Sequence, residues 1–252
     1  MALGDVIKPQ SGGQLRAEVL DWYPSDSRDR YLENIQDPEV YQYFQDQGWL
    51  VPGAIQYRIN SEGFRGDEFD PDVPNLVALG DSFSFGVGLP EHTVWPWLLG
   101  ERLNLRVHNL SLGGASADRS FALAEYWLPR LKPQRVYMAT PCRGRLDIVS
   151  ANCCHQTIMH SDKNVEQWGT YWKSWISEPQ NSWINNRRNE AAVAGLCHSL
   201  GIPVWIYRAD ECFSRSREEA GYARDRLHAG PPGHQILVEN MLGFRSDYRR
   251  YY

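Results

Sequence analysis

Asn75-Leu76-Val77-Ala78-Leu79-Gly80-Asp81-Ser82 is the stretch of sequence that decides the fold of this 252-residue chain. Four consecutive apolar residues, 76–79, are followed at once by a glycine and two polar residues. A short, continuous apolar run of this kind is typical of a strand buried on both faces of a parallel sheet. The stretch therefore predicts an α/β fold in which polar side chains stand at the carboxyl end of a buried strand.

The same order of apolar strand, polar turn and helix continues towards the C-terminus. The predicted elements are helix 93–103, strand 106–110, helix 118–131, strand 135–139, helix 181–200, strand 203–207 and helix 233–242. Strands that alternate with helices predict a mostly parallel central sheet covered on both faces, in a three-layer α/β/α architecture of the flavodoxin-like kind. Ligands of such sheets bind at the carboxyl ends of the strands, so the functional site is expected there.

Two segments stand outside this regular pattern. Residues 1–74 are predicted to form an irregular N-terminal accessory segment that packs on the core, with one short helix that begins at Asp37-Pro38. Residues 75–252 are predicted to form the main domain, with a tryptophan-rich insertion at about 150–182. Three tryptophans of the insertion, Trp168, Trp172 and Trp175, are spaced to share one helical face. This face is expected to pack on the core or on a subunit interface, or else to form a lid or a platform on which sugar rings stack.

The charge and hydropathy of the chain exclude several classes of partner. The formal net charge is -5, which gives no electrostatic reason to expect binding to nucleic acid or anionic lipid. No apolar run approaches the roughly 20 residues of a membrane helix. The first residues lack the basic start and apolar core of a secretory signal. We therefore expect no nucleic-acid or membrane partner, and a cytoplasmic or virion-associated protein rather than a secreted one.

The cysteines give no sign of a disulfide framework or a metal site. Their number, five, is odd and their spacing is irregular, which favours reduced and mostly buried thiols. Cys153-Cys154-His155, with His160 nearby, lacks the paired spacing of a structural zinc site. No metal ion and no organic cofactor is therefore expected.

Three short motifs contain residue types that suit nucleophilic catalysis. Ser82 follows a buried strand, although a serine at this place is most often only a helix N-cap. Asp225 and His228 stand three residues apart in a predicted loop, where a histidine can act as a general base and a carboxylate can orient its ring. Gly114 follows the strand 106–110 and can present its N–H group to a developing oxyanion.

Taken together, these motifs resemble the SGNH (GDSL-type) hydrolase family over about residues 75–242. Gly80-Asp81-Ser82-Phe83-Ser84 resembles the family's first block, the stretch from Asn109 to Gly114 its second, and Asp225 to His234 its last. The resemblance implies a serine ester hydrolase that works through a Ser-Asp-His triad and an acyl-enzyme, without a cofactor. Its nucleophile would be Ser82, its base His228 and its orienting acid Asp225. The N–H groups of Ser82 and Gly114 would hold the oxyanion.

One family block is not matched. After its third strand the family usually has Gly-x-Asn-Asp, whose Asn donates to the oxyanion, whereas this chain has Ala139-Thr140-Pro141-Cys142-Arg143-Gly144-Arg145. Thr140, Arg143 or the later Asn152 could donate instead, or the activity could be weak or altered. Arg143 and Arg145 could also bind an acidic group of a substrate, or be ordinary surface charges.

The substrate is predicted to be a small acyl ester, with acetyl the first candidate and an acylated glycan as the alcohol part. Residues 59–66 resemble the N-x-x-G-F-R-G stretch found upstream of the nucleophile in some polysaccharide-modifying and phage-encoded SGNH proteins. Two alternatives stay open. The chain could be an O-acyltransferase that uses a sugar hydroxyl in place of water, or a structural, virion-associated protein that keeps the fold with weak activity. A homo-oligomer or a larger assembly is compatible with either.

Overall fold

The structure is a computed structural model that describes residues 17–149, 155–159, 174–175, 178–208 and 221–243. Its strands, in chain order, are β1 (Glu18–Leu20), β2 (Tyr57–Ile59), β3 (Asn75–Leu79), β4 (Arg106–Asn109), β5 (Arg135–Thr140), β6 (Arg145–Val149), β7 (His155–Met159) and β8 (Val204–Arg208). Its helices are α1 (Arg28–Asn34), α2 (Pro38–Asp46), α3 (Ser82–Phe85), α4 (Trp95–Leu103), α5 (Ala117–Leu131), α6 (Pro179–Ser199) and α7 (Pro231–Met241).

A four-stranded parallel sheet lies at the centre of the fold, in the order β4-β3-β5-β8. Every residue of β3 is buried, as its continuous apolar run predicts. Leu79 lies opposite Met138 of β5, and Ala78 lies opposite Asn109 of β4. Because the strands are parallel and in register, the turns that follow them meet at one edge of the sheet.

Helices cover both faces of this sheet. On one face, Val77 and Leu79 pack in a buried cluster with side chains of α5 and α6, among them Leu123 and Val193. On the other face, Leu76 and Ala78 pack with side chains of α4 and α7, such as Trp95 and Leu237. Each such side chain contributes roughly 1.5–3 kcal/mol on burial, so the two clusters carry much of the fold's stability. The predicted three-layer α/β/α class is confirmed.

Four helices begin one or two residues away from their predicted starts: α4 at Trp95, α5 at Ala117, and α6 and α7 as follows. Helix α6 begins at Pro179 and is capped by the side chain of Glu178, which accepts from the N–H of Gln180, rather than by Asn181 or Ser182. Helix α7 begins at Pro231, two residues before the predicted start. Both helices have proline in the first turn, where the missing N–H is not needed and the fixed φ suits the helix.

The N-terminal segment contains more regular structure than predicted. Helix α2 begins at Pro38 and is capped by Asp37, and the sequence also indicates a short strand at Tyr57, which is β2; α1, β1 and the antiparallel pairing of β1 with β2 were not expected. Buried residues of this segment, such as Phe44 and Tyr57, share a cluster with Phe85 and with the residues that follow it. The segment therefore packs directly beside Ser82, while the division into domains at residue 75 stays a prediction.

The tryptophan-rich insertion is described only in part. Strands β6 and β7 form an antiparallel pair at its start. Trp168 and Trp172 lie outside the described residues, so the shared helical face stays a prediction. Trp183 lies on α6 and is 47% exposed. Among the helices in the described ranges, none has the length and apolar character needed to cross a membrane.

Candidate active site

Ser82 is the first residue of the short helix α3, directly after the central strand β3. Asp81, not Ser82, caps this helix, because the Asp81 carboxylate accepts from the N–H of Phe83 at 3.1 Å. A Cβ on Gly80 would collide with the side chain of Ser84, so only glycine allows the chain to turn so tightly here. Ser82 is 7% exposed at the carboxyl edge of the sheet.

Asp225 and His228 stand beside Ser82 and complete a chain of hydrogen bonds. His228 Nε2 lies 2.7 Å from Ser82 Oγ, and His228 Nδ1 lies 2.7 Å from Asp225 Oδ2. The second oxygen of Asp225 accepts from the backbone N–H groups of Leu227 and His228, at 3.0 and 3.2 Å. Arg226 takes a positive φ of 57°, which closes the turn between acid and base. The structure thus brings together three residues that lie up to 146 positions apart.

This arrangement can activate the hydroxyl of Ser82. With its proton on Nδ1, His228 donates to the buried Asp225 carboxylate, and its Nε2 accepts from the Ser82 hydroxyl. The ring of Phe83 packs edge-on against the His228 ring, with 4.8 Å between centroids, and limits how far the imidazole can turn. The geometry is that of a nucleophile, a base and an orienting acid.

The segment that follows Ser82 and the segment that contains His228 touch each other at Gly88. We call residues 86–89 the serine loop and residues 221–230 the histidine loop. Gly88 takes a positive φ of 74°, and a Cβ there would lie 3.1 Å from the backbone nitrogen of Asp225. The N–H of Arg224 donates to the Gly88 carbonyl at 2.9 Å. Any side chain at position 88 would therefore push acid and nucleophile apart.

A buried network from the N-terminal segment holds both loops. The Asp26 carboxylate accepts from Arg224 Nη2 at 2.7 Å and from the Tyr57 hydroxyl at 2.6 Å. The Tyr57 oxygen in turn accepts from the N–H of Gly88 at 2.8 Å. Burial, and then the charge of Asp26, raise the pKa of Tyr57 well above its usual value, so the phenol remains a neutral donor.

Arg65, in the stretch that resembles N-x-x-G-F-R-G, holds the serine loop from another side. Its guanidinium is almost fully buried and donates to the carbonyl oxygens of Phe85, Gly86 and Leu89 at 2.6–3.0 Å. Its charge lies over the ring of Tyr57, 4.6 Å from the centroid. The stretch therefore has a structural role: it holds the backbone that follows Ser82.

Gly114, the predicted oxyanion donor, lies in the turn that follows β4. It has a φ of 75° and is partly exposed. Within the residues that the structure describes, its N–H meets no hydrogen-bond acceptor, and neither does the N–H of Ser82 in the first turn of α3. These two backbone donors, in the turns that follow β3 and β4, are therefore available to a ligand.

The residues at and after the end of β5, which the sequence analysis considered together, point in different directions. The Thr140 hydroxyl donates to Glu190 of α6 at 2.9 Å, and Arg143 lines a cavity next to it. Arg145 instead points to Asp81, at 2.7 Å, and to the carbonyl oxygen of Ala115, at 3.1 Å. Gly144, with a φ of 78°, breaks the extended backbone between the two arginines and turns them apart. Asn152 lies outside the described residues.

Arg145 and Asp26 are the site residues that sequence reasoning missed or misplaced. Arg145 ties the turn that carries Ser82 to the turn that carries Gly114, through an Asp81 carboxylate that is fully buried. Asp26 does the same for the serine and histidine loops. The nearest sequence signal was the pair of arginines in the unmatched block. For Asp26 there was none, because 198 positions separate it from Arg224.

His234, at the start of α7, makes the stability of the fold depend on pH. It is completely buried, and its Nδ1 accepts from the N–H of Trp95 at 3.2 Å. Burial lowers the pKa of His234 from 6.5 to about 3. Below pH 6.5 the unfolded chain therefore takes up a proton that the folded chain excludes, so the free energy of unfolding falls as pH falls towards 3, by up to about 1.4 kcal/mol per pH unit.

Urea unfolding at pH 7, 6 and 5 measures this slope. His234→Asn, whose amide oxygen can replace Nδ1 as acceptor, is expected to be less stable at pH 7 but to lose less stability on acidification. Burial also lowers the pKa of His108, but His108 is present in both proteins, so the difference in slope isolates His234. Identical slopes for the two proteins would contradict the prediction.

Comparisons with known proteins give structural matches only. No protein-family model and no curated protein matches this chain. TesA is 19% identical, over 67% of this chain and 96% of its own, with a TM-score of 0.41. A member of the lipolytic protein G-D-S-L family from Veillonella parvula is 12% identical over 69% and 99%, with a TM-score of 0.37. The psychrotrophic esterase EstA from Pseudoalteromonas sp. is 12% identical over 67% and 94%, with a TM-score of 0.35.

The names of these structures agree with the family resemblance predicted from the motifs. Similarity at this level assigns no reaction to the chain. Its chemistry is therefore inferred from the side chains at the carboxyl edge of its own sheet.

Proposed function

We propose that this chain is a serine ester hydrolase of the SGNH type, and that its substrates carry small acyl groups, acetyl first among them. One observation carries the proposal. The Ser82 hydroxyl, the His228 ring and the Asp225 carboxylate form a continuous chain with 2.7 Å at each step. Serine is a weak nucleophile unless a positioned base removes its proton, and this arrangement supplies that base.

The reaction follows from these positions. Ser82 Oγ attacks the carbonyl carbon of the ester while His228 Nε2 takes the hydroxyl proton, and Asp225 stabilises the imidazolium that forms. The bond from the carbonyl carbon to the alcohol oxygen then breaks, and the alcohol leaves with the proton from His228. Water, deprotonated by His228, attacks the acyl-enzyme, which releases the acid and restores Ser82. No step calls for a metal ion or an organic cofactor.

The negative oxygen of each tetrahedral intermediate needs donors that are already in place. We assign the N–H groups of Ser82 and Gly114 to this task, because both are unpaired within the described part of the chain. Each such donor contributes about 10²–10³ to kcat. Thr140, with its hydroxyl engaged by Glu190, would have to break a buried hydrogen bond to take part.

A small acyl group suits the surroundings of Ser82. The serine is only 7% exposed, and Phe83 packs against the histidine ring at 4.8 Å. Bulky acyl chains would have to displace this aromatic side chain. For the alcohol part we propose an acylated glycan, because the half-exposed indole of Trp183 lies at the same edge of the sheet and offers a flat apolar face.

Labelling with a fluorophosphonate probe tests the proposal. The probe is expected to modify Ser82, identified by peptide mass spectrometry, and to label His228→Gln far more slowly because the base is lost. Hydrolysis of p-nitrophenyl acetate should accompany labelling.

Two other outcomes identify the alternatives. Transfer of the acetyl group to an added glycan, with little release of acetate, would indicate an O-acyltransferase. Absence of both labelling and hydrolysis in the well-folded protein would contradict an enzyme and favour the structural protein.

A further inference from the structure

The guanidinium of Arg145, the first residue of β6, lies between the two turns that supply the backbone donors. Its Nη1 donates to Asp81 Oδ2 at 2.7 Å and to the carbonyl oxygen of Ala115 at 3.1 Å. Asp81 directly precedes Ser82, and Ala115 directly follows Gly114. One nitrogen atom therefore bridges the chain neighbours of the two residues whose N–H groups are assigned to the oxyanion.

The turn that contains Gly114 is held at both of its ends, and Arg145 forms one of the two anchors. At the start of the turn, the N–H of Leu112 donates to the carbonyl oxygen of Gly80 at 3.4 Å. At its end, the N–H of Ala115 donates to Leu112 at 3.2 Å, while the carbonyl oxygen of Ala115 accepts from Arg145. Because a glycine backbone is conformationally permissive, the direction of the Gly114 N–H depends on these two anchors.

Arg145 also offsets a negative charge beside Ser82. The Asp81 carboxylate is completely buried, and the backbone N–H groups of Phe83 and Cys142 that donate to it, each at 3.1 Å, carry no net charge. The guanidinium of Arg145, whose side chain is 15% exposed, supplies the positive charge. A buried carboxylate without that partner would repel a developing oxyanion, because water screens little there.

Strand β6 is fixed independently of this arginine. Asp147, two residues further on and therefore on the same face of the strand, accepts from the hydroxyl of Ser116 at 2.8 Å and from Arg119 Nε at 2.6 Å. Both contacts remain when the side chain at position 145 is replaced. The loss of Arg145 is therefore expected to move the two turns relative to each other rather than to unfold the chain.

We propose that Arg145 is a positioning residue for ester hydrolysis: it keeps the N–H groups of Ser82 and Gly114 at the separation that the oxyanion requires, and it neutralises Asp81 beside them. This role rests on the proposed function and extends it, since the steps given above assign nothing to Arg145. Arg145 acts through Asp81 and Ala115 and not on the ester itself. It should therefore govern the rate of the chemical step and leave the binding of the uncharged substrate almost unchanged.

Steady-state hydrolysis of p-nitrophenyl acetate by Arg145→Ala tests this role. We expect kcat to fall about 10²–10³-fold, the loss that follows removal of one oxyanion donor, while KM stays close to its original value. Guanidinium chloride at about 50 mM, far below the concentrations that unfold proteins, can occupy the space left by the side chain. It should raise the kcat of this variant at least about tenfold, because a hydrogen bond between charged groups is regained. Sodium chloride at the same concentration should not.

Two further variants separate positioning from stability. Arg145→Lys keeps the charge beside Asp81, so it should fold even where the alanine variant is too unstable, and its kcat should lie between those of the original protein and Arg145→Ala. Arg119→Ala is the matched control, because it also breaks an ion pair with β6, the one with Asp147, whose side chains are 7% and 3% exposed. It should lower the free energy of unfolding to a similar extent. Its kcat should stay within a few-fold of the original and should not respond to guanidinium.

The outcomes separate this inference from the proposed hydrolase. The positioning role would be overturned by a kcat of Arg145→Ala no lower than that of Arg119→Ala, by a rise in KM at constant kcat, by the absence of recovery with guanidinium, or by the original kcat in Arg145→Lys. None of these results touches the hydrolase, because fluorophosphonate would still label Ser82 in the original protein. An original protein that is neither labelled nor active would overturn the hydrolase and the role of Arg145 together.

Discussion

Alanine in place of Ser82 is expected to lower kcat for p-nitrophenyl acetate about 10⁶-fold, the loss seen when the nucleophile of a triad is removed. The reason is that His228 then has no hydroxyl to deprotonate, and no acyl-enzyme can form. The two backbone donors, the N–H groups of residues 82 and 114, remain, so a small residual rate over the uncatalysed reaction should persist. Steady-state release of p-nitrophenol measures both rates.

Two further variants make this test specific. Asp225→Asn should lower kcat less, by about 10⁴-fold, because the ring and the serine remain but the wrong tautomer of His228 is favoured. Ser120→Ala is the matched control, because Ser120 is also a buried serine but lies within α5. Its kcat should stay within a few-fold of the original. Equal activity of Ser82→Ala and Ser120→Ala would exclude Ser82 as the nucleophile.

The parts of the site that could be predicted from sequence are those coded by short stretches. The apolar run of β3 fixes a buried strand, and the residues that follow it must lie at the carboxyl edge of the sheet. Asp225 and His228 are separated by a single turn, so their contact is local. In such cases the spacing along the chain nearly determines the distance in space.

The parts that could not be predicted depend on contacts between distant segments. Arg145 reaches Asp81 across 64 positions, and no periodicity links them. Helix α1 was missed for a different reason: none of its residues is buried, so it has no apolar stripe for a sequence pattern to detect. The N-terminal segment therefore appeared irregular, although it supplies Asp26 and Tyr57 to the network beside Ser82.

Loss of the Asp26 carboxylate is expected to have the largest effect on stability. Asp26→Ala leaves the guanidinium of Arg224, whose side chain is 5% exposed, without its counter-charge, and an unpaired buried charge costs about 3–5 kcal/mol. It also removes the acceptor of the Tyr57 hydroxyl. Urea unfolding should show this loss in the free energy of unfolding.

The same variant should weaken the site before it unfolds the chain. Asp26 reaches the serine loop through Tyr57 and the histidine loop through Arg224, which directly precedes Asp225. When these two links are lost, the distance between Ser82 and His228 is no longer fixed, so fluorophosphonate labelling should slow down at urea concentrations well below the unfolding transition. A purely peripheral accessory segment would leave the labelling rate unchanged.

Two comparisons show whether the buried pair causes the effect. Asp21→Asn changes an exposed carboxylate five residues away and should alter stability by less than about 0.5 kcal/mol. Asp26→Ala combined with Arg224→Met removes both charges and should be less destabilised than the sum of the single variants, because no buried charge is left unpaired. Strict additivity, or an Asp26→Ala protein as stable as Asp21→Asn, would show that the N-terminal segment does not hold the two loops through this pair.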